Sequence, residues 1–81
     1  MVEVSQSPDS QRFQSGEAYL TYTRTGDQMV IEHTIVPPAM GGSGVGSALV
    51  RRAVEYGRSE GLSVGATCWF AQGWLDRHLG V

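Results

Sequence analysis

Four glycines within the six residues Gly41-Gly42-Ser43-Gly44-Val45-Gly46 are the group in this chain best suited to hold a ligand. Glycine lacks the Cβ that would keep an anion off the backbone, so successive N–H groups can converge on one negative charge. Upstream lies the apolar run Ile31 to Val36, stopped by Pro37-Pro38, and downstream a helix begins near Val45 with Ser47 in its first turn. That helix adds unpaired N–H donors and the positive end of its dipole. The order strand, glycine loop, helix therefore predicts a site for an anion, best suited to a pyrophosphate. The competing reading is a surface loop whose glycines only permit a tight turn. A nucleotide-hydrolysing P-loop is excluded, because it needs a lysine after its last glycine and the chain contains none. Gly42, Gly44 and Gly46 are spaced G-x-G-x-G rather than G-x-G-x-x-G, and no second helix–strand repeat completes a dinucleotide-binding half.

Other reactive side chains are sparse. His33 and Glu32 sit in the strand before the loop. His33 reads either as a half-buried site residue or as a core histidine satisfied by backbone, and Glu32 either as a general base or as an acid facing water. Cys68 falls in phase with Leu62, Val64 and Ala66, as a small buried hydrophobe would. It also immediately precedes a helix starting at Trp69, a placement that lowers a thiol's pKa below its free value of about 8.5. Arg51 and Arg52 lie in the second turn after the loop, within reach of a nucleotide phosphate, although Arg51 also has Glu55 as an i,i+4 partner. Two histidines and one cysteine at unpatterned positions match no zinc spacing, so no metal is expected.

The elements that must position these groups fit one domain of 81 residues, 41% hydrophobic and 17% charged. A chain this short buries only about 60% of its unfolded surface. The net charge of −2 and the scattered arginines give no reason to expect nucleic acid or a membrane surface as partner. A single cysteine, no leader pattern and no long apolar run predict a reducing, cytoplasmic setting. Residues 1–11 are polar and aperiodic, a flexible lead-in to a domain spanning 12–81. Arg12-Phe13-Gln14 reads as a short strand, 17–24 as an alternating strand, Thr25-Gly26-Asp27 as a hairpin turn and 28–36 as the return strand. In that return strand Ile31, His33 and Ile35 share one face and Val30, Glu32, Thr34 and Val36 the other, which predicts a central strand covered on both sides. A helix over 45–60, stopped by Gly61, leads to a parallel strand over 62–68 in a right-handed βαβ unit. A weaker helical period runs from Trp69 to Leu79, with Trp69, Phe70 and Trp74 assigned to the core. The fold class is α/β: a three-stranded antiparallel meander, a crossover helix, a parallel fourth strand and a short C-terminal helix.

Strand end His33-Thr34-Ile35-Val36, loop Gly41-Gly42-Ser43-Gly44-Val45-Gly46, helix core Leu49-Val50 and Cys68 together resemble the GNAT N-acetyltransferase superfamily, in particular its short single-domain branch. The resemblance covers 16–79 and departs at Gly41, where the loop pattern expects a basic or amide side chain. It implies that two parallel strands splay at their C-terminal ends and admit the pantetheine arm of acetyl-coenzyme A (acetyl-CoA), here between Thr34, Ile35, Val36 and Cys68. The loop Gly41, Gly42, Ser43, Gly44, Val45, Gly46 and Ser47 would hold the pyrophosphate. The implied function is acetyl transfer to an amine. The superfamily's usual acid is a tyrosine on the last helix, and this chain has no tyrosine after Tyr56. That vacancy, with its place at a strand end, makes Cys68 the candidate catalytic residue, either accepting the acetyl group or protonating the departing thiolate. The helices that build the acceptor side in longer members have no counterpart here, which points to a large acceptor such as a protein amine, with a small molecule still open. Two rival readings are a CoA- or acyl-CoA-binding module without turnover and an interaction domain without ligand.

Overall fold

The computed structural model describes residues 3–42 and 44–78; Met1, Val2, Ser43 and Leu79 to Val81 lie outside the described residues. Five strands form one sheet in chain order: β1 (Ser5–Ser7), β2 (Arg12–Ser15), β3 (Ala18–Thr25), β4 (Gln28–Ile35) and β5 (Ser63–Ala66). The first four are antiparallel neighbours, and β5 adds parallel to β4 after the crossover helix α1 (Val45–Ser59). A second helix, α2 (Trp69–His78), follows β5 and packs against β5, β4 and α1.

The core lies between the sheet and α1. Phe13, Leu20, Met29 and Ile31 from the strands meet Leu49 and Val50 from the helix, all six fully buried. This follows from the sequence patterns: β3 buries every second residue (Ala18, Leu20, Tyr22), and α1 buries the stripe Val45, Leu49, Ala53 widened by Val50 and Val54. Gly57 sets how closely helix and sheet approach, since a Cβ there would lie 2.5 Å from Val64 Cγ2 and 3.1 Å from Met29 Sδ. At the far end of α1, Phe13, Tyr22 and Tyr56 pack ring to ring with centroids 5.5 to 5.9 Å apart. Arg24 donates to Tyr56 Oη at 2.9 Å and to Glu60 Oε1 at 3.0 Å.

Three expectations need correction. The segment 1–11 does not simply trail from the domain: Ser5–Ser7 pairs with β2, Gln6 Nε2 donates to Tyr22 Oη at 3.2 Å, and Pro8–Ser10 forms a 3₁₀ turn. A polar strand at a sheet edge needs no apolar alternation, so the sequence carries no sign of it. The strand predicted over 62–68 pairs only from Ser63 to Ala66, because Ile31 O accepts from both Thr67 N (3.0 Å) and Cys68 N (3.3 Å) and the chain turns away there.

The third concerns β4, which is not covered on both sides. In the β3–β4 register Tyr22 opposes Ile31 but Thr21 opposes His33, leaving Glu32 unpaired as a β-bulge. One extra residue inverts the alternation. Thr34 therefore faces α1 alongside Ile31, opposite Leu20, while His33 and Ile35 turn to the outer face opposite Thr21 and Tyr19. Apolar residues occur at both parities because the phase changes midway, not because helices cover both faces.

Candidate functional site

The bulge and the end of β5 pairing fall at the same level. From Glu32 onward β4 is paired on its β3 side only, so a gap opens between Thr34 to Val36 and Thr67-Cys68. The glycine loop closes one end of it. Gly41 is extended, and its N–H donates to Pro38 O at 3.1 Å, which caps the preceding 3₁₀ turn (Pro38–Met40). Gly44, the residue before α1, has φ +81° and no side-chain cap, so the donors of Val45, Gly46 and Ser47 stay outside the helical ladder, whose first bond is Ala48 N to Gly44 O at 3.0 Å. A left-handed conformation at this position is inexpensive for glycine alone.

Gly46 answers to packing. A Cβ on it would lie 3.0 Å from Phe70 Cζ and 3.4 Å from Val36 Cγ2, so α2 leans directly on the first turn of α1. Phe70, Val36, Met40 and the loop glycines line a cleft of ≈480 Å³ that runs from the helix N-terminus toward the gap.

Cys68 stands at the gap, half-buried, and its thiol donates to Thr34 Oγ1 at 3.8 Å. Burial pushes the thiol pKa up, but donors from Ala71 N–H, the Thr34 hydroxyl, Phe70 N–H and Thr34 N–H together outweigh it and leave the pKa below its ordinary value. Those donors come from two elements, the first turn of α2 and the strand just past the bulge.

The structure gathers Val36, Gly41, Gly42, Gly44, Val45, Gly46 and Ser47 around the loop cleft, and separately brings Thr34 and Cys68 into contact. Ile35 lends its backbone to the gap while its side chain, 43% exposed, points outward. Ser43 lies outside the described residues. Glu32 and His33 are both exposed rather than half-buried, His33 on the outer face. Arg51 does not pair with Glu55; the one ion pair among the described residues is Arg24–Glu60. Trp74 is buried as expected, yet Trp69 is 85% exposed and Phe70 serves the cleft wall. The contribution of Phe70 was not legible beforehand, since its apolar spacing on α2 fits core packing equally well. Among the described residues no group of three or more histidine, cysteine or acidic side chains could hold a metal ion, and no helix is long and apolar enough to cross a membrane.

Residues 10–79 match the sequence profile of the family described as GCN5-related N-acetyl-transferase. The chain belongs to that family. The GCN5-related assignment has support in both fold and sequence. A GCN5-like protein from Staphylococcus aureus, solved by NMR, superimposes with a TM-score of 0.78 at 30% identity, over 98% of this chain and 82% of that one. Protein NATD1 of Homo sapiens is 34% identical over 62 residues, 75% of this chain and 55% of its own. Protein NATD1 of Gallus gallus gives the same identity over 75% of this chain and 56% of its own. The chain thus spans about half the length of the curated relatives it matches. The GCN5-related family accounts for the mixed sheet, the parallel β4–β5 pair and the short C-terminal helix.

Proposed function

We propose that this protein binds acetyl-CoA and transfers its acetyl group to an amine. The observation that carries the reading is the uncapped, glycine-led N-terminus of α1 opening onto a cleft walled by Val36, Met40 and Phe70. The free donors of Val45, Gly46 and Ser47 take the pyrophosphate. The gap between β4 and β5 takes the pantetheine arm and brings the thioester against Thr34 and Cys68.

A depressed pKa favours the covalent route for Cys68. Its thiolate attacks the thioester carbonyl, the bond to the coenzyme sulfur breaks, and coenzyme A leaves as a thiolate that takes a proton from water. The amine then attacks the acetyl-cysteine, releasing the amide and returning the thiolate, with one proton lost to solvent. Thr34 N–H is placed to stabilise the oxyanion of both additions. The acceptor arrives from the outer face, where His33 and Ile35 are exposed beside the gap. That openness suits a bulky acceptor such as a protein amine.

Calorimetry with acetyl-CoA tests the loop. The parent should bind, and Gly44→Asp, whose side chain tolerates the left-handed region, should weaken binding by about 2 kcal/mol through like-charge repulsion. Equal affinities, or no heat from the parent, would sink the reading. A specific observation favours a module that binds without turnover: Tyr56, the chain's last tyrosine, is committed to Arg24 and the Phe13 cluster and is not free to act as the acid. Incubation without acceptor tests the covalent route, which adds the mass of one acetyl group at Cys68, and amide formation from a supplied amine separates transfer by any route from binding without turnover.

A further inference from the structure

A second cavity, ≈560 Å³, opens on the flank of α1 and shares Gly44 and Ser47 with the loop cleft. Its α1 wall is the stripe Gly44, Ser47, Ala48, Arg51 and Arg52, spaced i, i+3, i+4, i+7, i+8 along one side of the helix. Its far wall is α2, where Trp74 and His78 stack with centroids 4.1 Å apart and planes 13° from parallel. His78 Nδ1 donates to Trp74 O at 3.0 Å, which fixes the ring on the indole and leaves its outer face toward solvent. Both arginines are exposed and, among the described residues, outside any ion pair.

We infer that Arg51 and Arg52 form the recognition site for the 3′-phosphate of the coenzyme's adenosine, with the Trp74–His78 stack beside the base, so that the protein selects 3′-phosphorylated over dephosphorylated coenzyme. This rests on the coenzyme reading of the loop. Arg51 is seven residues beyond Gly44, about 10 Å along the axis, and helical side chains lean one turn back toward the N-terminus. Leaning back one turn leaves its guanidinium about 5 Å from Gly44 along the axis, a span that one sugar covers from a pyrophosphate held at the loop. A phosphate monoester carries close to two charges and three acceptor oxygens, which suits two adjacent guanidinium groups. Glu3 also lines the cavity and, among the described residues that line it, supplies the one opposing carboxylate. It sets the sign of a control.

The experiment compares coenzyme A with 3′-dephospho-coenzyme A by calorimetry at low salt. The parent should prefer coenzyme A by about tenfold or more, the scale of one charged hydrogen bond. Joint replacement Arg51→Gln, Arg52→Gln should bring coenzyme A down to the dephospho affinity and leave the latter unchanged, while Glu3→Gln should widen the preference. Equal parent affinities, or an equal loss for both ligands in the double variant, overturn the assignment. Adenosine 3′,5′-bisphosphate, followed by NMR, separates this pocket from the loop reading. Shifts at Arg51, Arg52 and the Trp74 indole in the parent, with the Trp74 shift lost in the double variant, uphold it even where acetyl-CoA fails to occupy the loop. No shift there at millimolar bisphosphate overturns it.

Discussion

Gly46→Ala adds one methyl group at the contact between the two helices and tests whether that contact shapes the coenzyme cleft. Helix propensity alone makes the change favourable by up to about 1 kcal/mol. Packing opposes it. The new Cβ would sit 3.0 Å and 3.2 Å from two Phe70 ring carbons, tighter than most real contacts, and 3.4 Å from Val36 Cγ2, at the edge of ordinary contact. Overpacking of this kind costs about 1–3 kcal/mol. The aromatic ring is stiff but half-buried, beside the exposed Trp69, so it can tilt by a few tenths of an ångström, which places the cost toward the lower end. The balance is a loss of up to about 1 kcal/mol, or at most about 4–8 °C in melting temperature for a domain of this size. Because Phe70 and Val36 are cleft walls, acetyl-CoA should bind several-fold more weakly as well. Circular dichroism melts and calorimetry on the same preparation read both effects. A variant that melts higher and binds as the parent does would show that the helices are not in contact as described.

Three further outcomes are expected. Iodoacetamide labelling of Cys68 should have its midpoint below that of the same thiol in the unfolded chain and be slowed by coenzyme A; a midpoint at or above the unfolded chain's refutes the donor set around the sulfur. Because the folded pKa is the lower one, the thiolate's contribution to stability is complete above the unfolded pKa and fades as pH falls through the folded pKa, so the parent should gain on Cys68→Ala between neutral pH and about pH 9 in paired chemical-denaturation curves. Gly57→Ala, with a Cβ 2.5 Å from Val64 Cγ2, should destabilise by about 2 kcal/mol or more without touching the cleft, and a urea midpoint equal to the parent's would refute that packing.

The loop and the gap were legible because they rest on residue types with few alternative uses: glycines clustered before a helix, prolines that end a strand, and a helix between two apolar runs that forces parallel pairing. What the sequence hid depends on neighbours. Strand β1 is short and polar, and its partner is β2 rather than any apolar face of its own. Trp69 carries the same local pattern as Trp74, yet lies on the opposite side of α2 and remains in water. The second wall of the Arg51 cavity comes from Trp74 and His78, two turns into a helix whose position on α1 no local pattern announces. His33 was misplaced for one reason, the unpaired Glu32.

That unpaired residue stores its information as a count rather than as a chemistry. The Glu32 side chain is exposed and, among the described residues, makes no hydrogen bond, so many residue types can stand there at little cost. Its removal is another matter. With one residue fewer, Thr34 would trade places with Ile35, the donor behind Cys68 would rotate out of the gap, and β4 could continue its ladder along β5 past Ala66. Position 32 is thus tolerant of substitution and intolerant of deletion, and a comparison that scores residue identity alone would pass over the position on which the opening of the sheet depends.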